Sequence, residues 1–180
     1  MESLPQGRFQ RFIYCSNLMD ETYLFHQTPA DCARDLISKI PIQPGDLIHE
    51  PFKGEGAFYN NLPEPKDWAE IQEGKDYKEL GECDWVISNP PFRLEGETGR
   101  FNAFWFLLNY FTKKTRKGIA FLGNDYCLAT LTPRRLAILK ERGWGISKIV
   151  VCSVKKWRGR YFLIIFQKGG SVMDFLPTNY

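Results

Sequence analysis

The sequence predicts an α/β fold, one open and mostly parallel sheet with helices packed on it. Three observations predict it. Short apolar runs alternate with amphipathic stretches along most of the chain, the pattern of strand–helix units. Two of those runs stop abruptly in loops of unusual composition, Glu50 through Phe58 and Asn89-Pro90-Pro91-Phe92. The last two apolar runs flank a short basic stretch, which reads as an antiparallel hairpin. With 180 residues the chain suffices for one domain with a real core and is too short for two large ones. A single domain over 1–180 is therefore expected, with an irregular N-terminal segment, 1–27, and a loose tail, 169–180.

The elements follow in order. Phe9, Phe12, Ile13, Tyr14 and Phe25 are packing anchors within the irregular start. Thr28 is placed to cap a helix whose first turn holds Pro29. Ala33, Leu36, Ile37 and Ile40 continue at helical spacing until Pro41 and Pro44-Gly45 stop the run. Residues 46–50 read as the first strand, ending in Glu50. Pro51, Phe52, Gly54 and Gly56 follow in a loop whose glycines let backbone N–H groups approach a ligand. Tyr59 stands where a dinucleotide fingerprint has its third Gly, which excludes that fingerprint.

Trp68-Ala69-Glu70-Ile71 reads as the second strand. Glu70 follows Glu50 by roughly the 20 residues at which nucleotide-type sites place a ribose-binding acid. A third strand near 78–81 is only faint. Cys83 to Ser88 is a buried strand running into Asn89. Residues 93–100 are a polar loop bordering that point, and 101–112 a helix whose aromatic stripe is core. Residues 119–122 are a strand, Thr132 caps a helix that begins at Pro133, and 146–153 and 161–166 are the closing strands.

Asn89-Pro90-Pro91-Phe92 carries the most chemistry. Two prolines remove two backbone donors and fix two φ angles, and Pro90 keeps Asn89 out of the helical region. The result is a stiff loop with an amide at its start and a ring at its end. Carbonyl acceptors beside an aromatic ring suit a planar group bearing an NH2, such as adenine or cytosine.

The motif resembles that of the S-adenosylmethionine-dependent amino-methyltransferases, most of all the DNA adenine-N6 group. Similar motifs occur in RNA adenine methyltransferases and in enzymes that methylate a glutamine amide. The resemblance spans about residues 26–168. It implies a seven-stranded Rossmann-like methyltransferase sheet with its last strand antiparallel, and S-adenosyl-L-methionine as cofactor. It implies that Asn89, Pro90, Pro91 and Phe92 are catalytic. It implies that Thr28 and Pro29 meet the methionine part of the cofactor, with Glu50, Pro51, Phe52, Gly54 and Gly56 forming the first cofactor motif. Glu70 and Ile71 would meet the ribose and adenine, Asp76 the adenine amine, and Asn89 would border the cofactor as well. Lys155, Lys156, Trp157, Arg158 and Arg160 lie where the family packs on the target base, and cations interleaved with an aromatic suit phosphate contact plus stacking. A basic hairpin whose Trp packs on the sheet is the equal alternative.

Charge points the same way. Residues 1–99 carry 9 Lys+Arg against 18 Asp+Glu, whereas residues 100–180 carry 15 against 3. Near-absence of acids from the second half is the footprint of an anionic polymer, with DNA favoured and RNA as the alternative. A separate target-recognition domain is not visible, so limited sequence specificity, a specificity subunit or a homodimer is expected. A non-catalytic nucleic-acid-binding subunit is the alternative from another class, disfavoured because both motifs are intact. Cytosine presents the same kind of amine and stays open. The five cysteines form no C-x-x-C and there are only two histidines, so no metal site is expected. No apolar run approaches a membrane span. A reducing compartment is expected, the cytoplasm of a bacterial or phage-host cell or a nuclear-type one.

Overall fold

A computed structural model describes residues 27–94, 102–155, 157 and 159–170. Six strands form one sheet: β1 (Ile48–Glu50), β2 (Lys66–Trp68), β3 (Cys83–Ser88), β4 (Thr115–Asn124), β5 (Trp144–Cys152) and β6 (Tyr161–Lys168). Their order is β2-β1-β3-β4-β6-β5. The pairs from β2 to β4 are parallel, while β4 with β6 and β6 with β5 are antiparallel. The α/β class and the antiparallel end are as predicted. The strand count among the described residues is six, not seven.

The faint third strand is the difference. Tyr77–Glu79 is a 3₁₀ turn instead. Asp76 accepts from the Lys78 N–H while Glu79 accepts from the Asp76 N–H, so the backbone closes locally and offers no ladder to a neighbour. Tyr77 is buried against Phe52, Tyr110 and Phe111, with ring centroids 5.3–6.0 Å apart. The second strand lies earlier than predicted, at Lys66–Trp68 rather than Trp68–Ile71, sharing only Trp68. It stops at Trp68, because the Glu70 side chain caps another 3₁₀ turn, Ile71–Glu73, that ends on Gly74 at φ 83.

Helix α1 (Ala30–Ile37) covers one face, and α2 (Phe104–Phe111), α3 (Asp125–Ala129) and α4 (Pro133–Glu141) follow the later strands. Side chains alternate across the sheet. Val86, Ile119, Phe121, Ile164 and Phe166 join Leu107, Phe111 and Leu139 in one core. Trp85, Ile87, Ala120, Leu122 and Leu163 join Ala33 and Leu36 in the other. Thr132 caps α4 as predicted, accepting from the Arg135 N–H at 3.4 Å. Thr28 does not cap α1. Pro29 holds the cap position and has no side chain to cap with, the Thr28 hydroxyl accepts from Asn89 instead, and the first turn is bonded by Asp31 Oδ1, which accepts from the Cys32 N–H at 2.8 Å.

Candidate functional site

The chain leaves β1 for β2 on one side and returns past it to β3 on the other. Strand order reverses there, and in open α/β sheets ligands bind beyond the carboxyl ends of the strands at such a point. Glu50 ends β1 and Ser88 ends β3, and Asn89 is the next residue. The Ser88 hydroxyl donates to Glu50 Oε1, tying the two strand ends together. The Phe52 N–H reaches the same oxygen at 3.4 Å. Glu50 is only 1% exposed. Burial pushes its carboxyl well above the usual range; the bonds from Ser88 and Phe52 oppose that, and the nearby Glu70 charge adds to it.

The glycine loop is fixed from β2. Gly54 and Gly56 have φ 51 and 85, conformations that favour glycine, and a Cβ on Gly56 would lie 2.9 Å from Asn60 Nδ2. The Gly54 N–H donates to Glu70 Oε2 at 2.7 Å, and the Gln72 N–H to Glu70 Oε1 at 3.2 Å. Glu70 therefore shapes the loop, and each carboxylate oxygen keeps further acceptor capacity. The Lys53 N–H donates to the Ala69 carbonyl, and its ammonium lies 3.8 Å over the Trp68 ring and 2.6 Å from Glu73. Pro51 is buried at the start of this loop and Phe52 packs against the first core. Ile71 is 55% exposed beside Glu70. Asp76 is half-buried and uses Oδ1 to cap its turn.

Asn89 Nδ2 donates to Thr28 Oγ1 at 3.2 Å, joining the first helix entry to the end of β3. Pro90 is buried, Pro91 and Phe92 are half-buried, and Phe92 packs against both cores. The Phe92 carbonyl accepts from the Ala103 N–H at 2.8 Å. Of the basic hairpin, Lys155 and Arg160 are exposed, and Arg160 lies 3.8 Å from Asp125. Trp157 is half-buried, not exposed, with its ring 4.4 Å from that of Tyr161. Lys156, Arg158 and most of the loop at 93–100 lie outside the described residues, as do the N-terminal anchors. A cavity of about 930 Å³ brings Thr28, Pro29, Gly56, Asn60, Lys155 and Trp157 together; Glu50, Glu70 and Asn89 do not line it.

Ser88 was not singled out by sequence reasoning. The signal was present, because a polar residue inside a buried apolar strand must find a partner.

The fold is similar to that of several solved structures. One is assigned as the modification subunit of a type I restriction enzyme from Vibrio vulnificus, at TM-score 0.61 and 14% identity over 89% of this chain and 49% of that one. A second, assigned as an RNA methyltransferase from Pyrococcus horikoshii, has TM-score 0.58 and 17% identity over 86% and 92%. A third, assigned as a class I S-adenosylmethionine-dependent methyltransferase from Listeria monocytogenes, has TM-score 0.56 and 14% identity over 83% and 62%. At such identities the likeness is one of fold. The chain spans about half the length of the Vibrio protein. No protein-family model matches the chain, and no curated protein matches its sequence.

Proposed function

We propose that the chain is an S-adenosylmethionine-dependent methyltransferase that places a methyl group on the exocyclic N6 amine of adenine in DNA. The observation that carries this reading is the meeting of Glu50 and the Asn89 loop, through Ser88, at the point where strand order reverses. The donor set fits the cofactor. A buried carboxyl whose ionised form would be stabilised by an adjacent cation suits a ligand bearing an ammonium and a sulfonium. Glu70 has acceptor capacity for ribose hydroxyls, and the exposed Ile71 offers an apolar surface to adenine. Thr28 and Pro29 stand at the methionine end. Asp76 has its second carboxylate oxygen for an amine. When bound, S-adenosylmethionine supplies an electrophilic methyl group on sulfur.

The protein's own work is positioning. The adenine amine is a poor nucleophile because its lone pair is delocalised into the ring. Asn89 Oδ1 and the Pro90 carbonyl accept its two N–H bonds, which favours a tetrahedral nitrogen with the lone pair released. Phe92 stacks on the base. Pro90 and Pro91 hold the carbonyls in place before substrate arrives, so no reorganisation is needed at the moment of reaction. Lys155, Lys156, Arg158 and Arg160 meet phosphate, with Trp157 beside them. A base in a duplex must first leave the stack, at a cost on the order of a few kcal/mol.

One observation favours RNA as the second reading. The Pyrococcus neighbour assigned as an RNA methyltransferase is matched over 92% of its length, far more than the restriction-modification subunit. Transfer of labelled methyl to DNA and, separately, to RNA, with digestion to nucleosides, decides between them. The expected product is N6-methyladenine in DNA. Asn89→Ala is expected to lose at least about 100-fold in turnover while still binding cofactor. Label in RNA alone would move the substrate to RNA, and no transfer to either would overturn the reading.

A further inference from the structure

We propose that Cys32 and Cys152 form a dithiol site that a small-molecule disulfide oxidises to an intramolecular disulfide, tethering α1 to the end of β5. The two residues are far apart in sequence, one near the start of α1 and the other at the last position of β5. Folding brings them together. Both are half-buried free cysteines, both pack against the same core, and both line a cavity of about 320 Å³ walled by α1 and β5. Their thiols are hydrogen-bonded to each other. A disulfide needs close Cβ atoms and sulfurs that face each other, and thiols in that contact meet the second need directly. Cys83 and Cys127 are buried, and neither lines this cavity.

The cavity gives a reagent access to both sulfurs. One cysteine, as its thiolate, attacks a sulfur of the small-molecule disulfide; a new S–S bond forms, the reagent's S–S bond breaks, and half of the reagent leaves as a thiol. The second cysteine gives up its proton and attacks the mixed disulfide, expelling the other half. Two protein thiols are oxidised, and the reagent is reduced to two thiols that take up the two protons. Burial raises both protein thiols, Cys152 to about 11, and Asp31 and Asp35 raise Cys32 further. Lys39 lines the same cavity. The reaction starts from the thiolate, so it is slow at neutral pH and speeds as pH rises toward the raised values. The consequence reaches the larger cavity. Cys32 lines it together with Thr28 and Pro29, and Ser153, directly after Cys152, lines it together with Lys155 and Trp157. The bridge therefore ties one wall of that cavity to the other.

The dithiol does not depend on the methyl-transfer reading, and either can fail alone. The test is incubation of the full chain with oxidised glutathione, blocking of free thiols, and peptide mapping without reductant. A peptide pair joined through Cys32 and Cys152 is expected, appearing faster as pH rises and lost on adding dithiothreitol. Cys152→Ser is expected to stop with glutathione on Cys32, and Cys32→Ser with glutathione on Cys152. The joined form should also slow hydrogen exchange of the α1 amides relative to the reduced form. Both forms are compared in the wild-type chain, so the folding of the serine variants does not decide the result. Separate glutathione adducts on the two cysteines of the wild-type chain, or no reaction of either while the chain is folded, overturns the site. Joining without slower α1 exchange overturns the tether.

Discussion

Glu50 keeps a carboxyl group where water does not reach it, and its proton is therefore coupled to folding and, on the proposed function, to cofactor binding. Its folded pKa is raised, so the folded chain holds this proton more tightly than the unfolded chain does. Below the unfolded value, near 4.5, the group costs nothing. As pH rises through the window between the unfolded and folded values, ionising a buried group removes stability. Thermal unfolding followed across that window is expected to show wild type losing stability relative to Glu50→Gln as pH rises, a difference that removes the opposite contribution of His49, whose pKa burial lowers. A cation bound at Glu50 needs the ionised form. Cofactor affinity is accordingly expected to rise with pH through the same window and to release a proton, measurable by calorimetry in buffers of different ionisation enthalpy; Glu50→Gln should abolish the release. At this scale the sequence was legible where the physics is local. Two prolines after an asparagine dictate a loop whatever surrounds them. The use of Thr28 was misread for the complementary reason: its hydroxyl had a local duty by position, and a partner 61 residues away by folding.

Strand β3 and strand β4 meet at Gly118, and the fit depends on the glycine. A Cβ there would stand 2.2 Å from the Trp85 ring. Trp85 cannot retreat, because its Nε1 donates at 2.9 Å to the buried Asp46, which is also bonded by Lys117. Burial alone would raise the Asp46 carboxyl, but the bonds from Lys117, the Gln43 N–H and Trp85 leave it below its usual range. Gly118→Ala is expected to cost about 1–3 kcal/mol in chemical denaturation without changing cofactor affinity, the usual size for overpacking a core. Elements with strong local signals were read correctly, such as the Thr132-Pro133 start of α4 and the antiparallel β5–β6 pair. The edge of the sheet beyond β1 was not. There the apolar signal is weak, and Asp76 with Glu79 and Glu70 with Gln72 form hydrogen bonds that curl the backbone out of a ladder.

Across the whole molecule the division of charge has a thermodynamic signature. The acid-poor half carries β4 to β6 and the exposed Lys155 and Arg160. Arg160 and Asp125 are both exposed and 3.8 Å apart, a pair of little energetic weight that leaves the guanidinium available to phosphate. Affinity for DNA is expected to fall linearly with the logarithm of salt, and replacing Lys155 and Arg160 by Ala should flatten the slope by about two phosphate contacts, measurable by fluorescence titration. An unchanged slope would remove this hairpin from the interface. The charge division was legible because composition alone records it. Its placement was not, since Trp157 is half-buried against Tyr161 rather than exposed among the hairpin's cations.

The hydrogen bond between Phe92 and Ala103 closes a ring in the chain directly after the Asn89-Pro90-Pro91-Phe92 motif. The two ends of that ring are anchored independently, one by the stiff prolines and β3, the other by the buried start of α2. Closing a longer ring costs little, about 0.6 kcal/mol for each doubling of a flexible span. The position is therefore a natural splice point. On the proposed function, residues that read the surroundings of a target base could be inserted between those ends without moving Asn89.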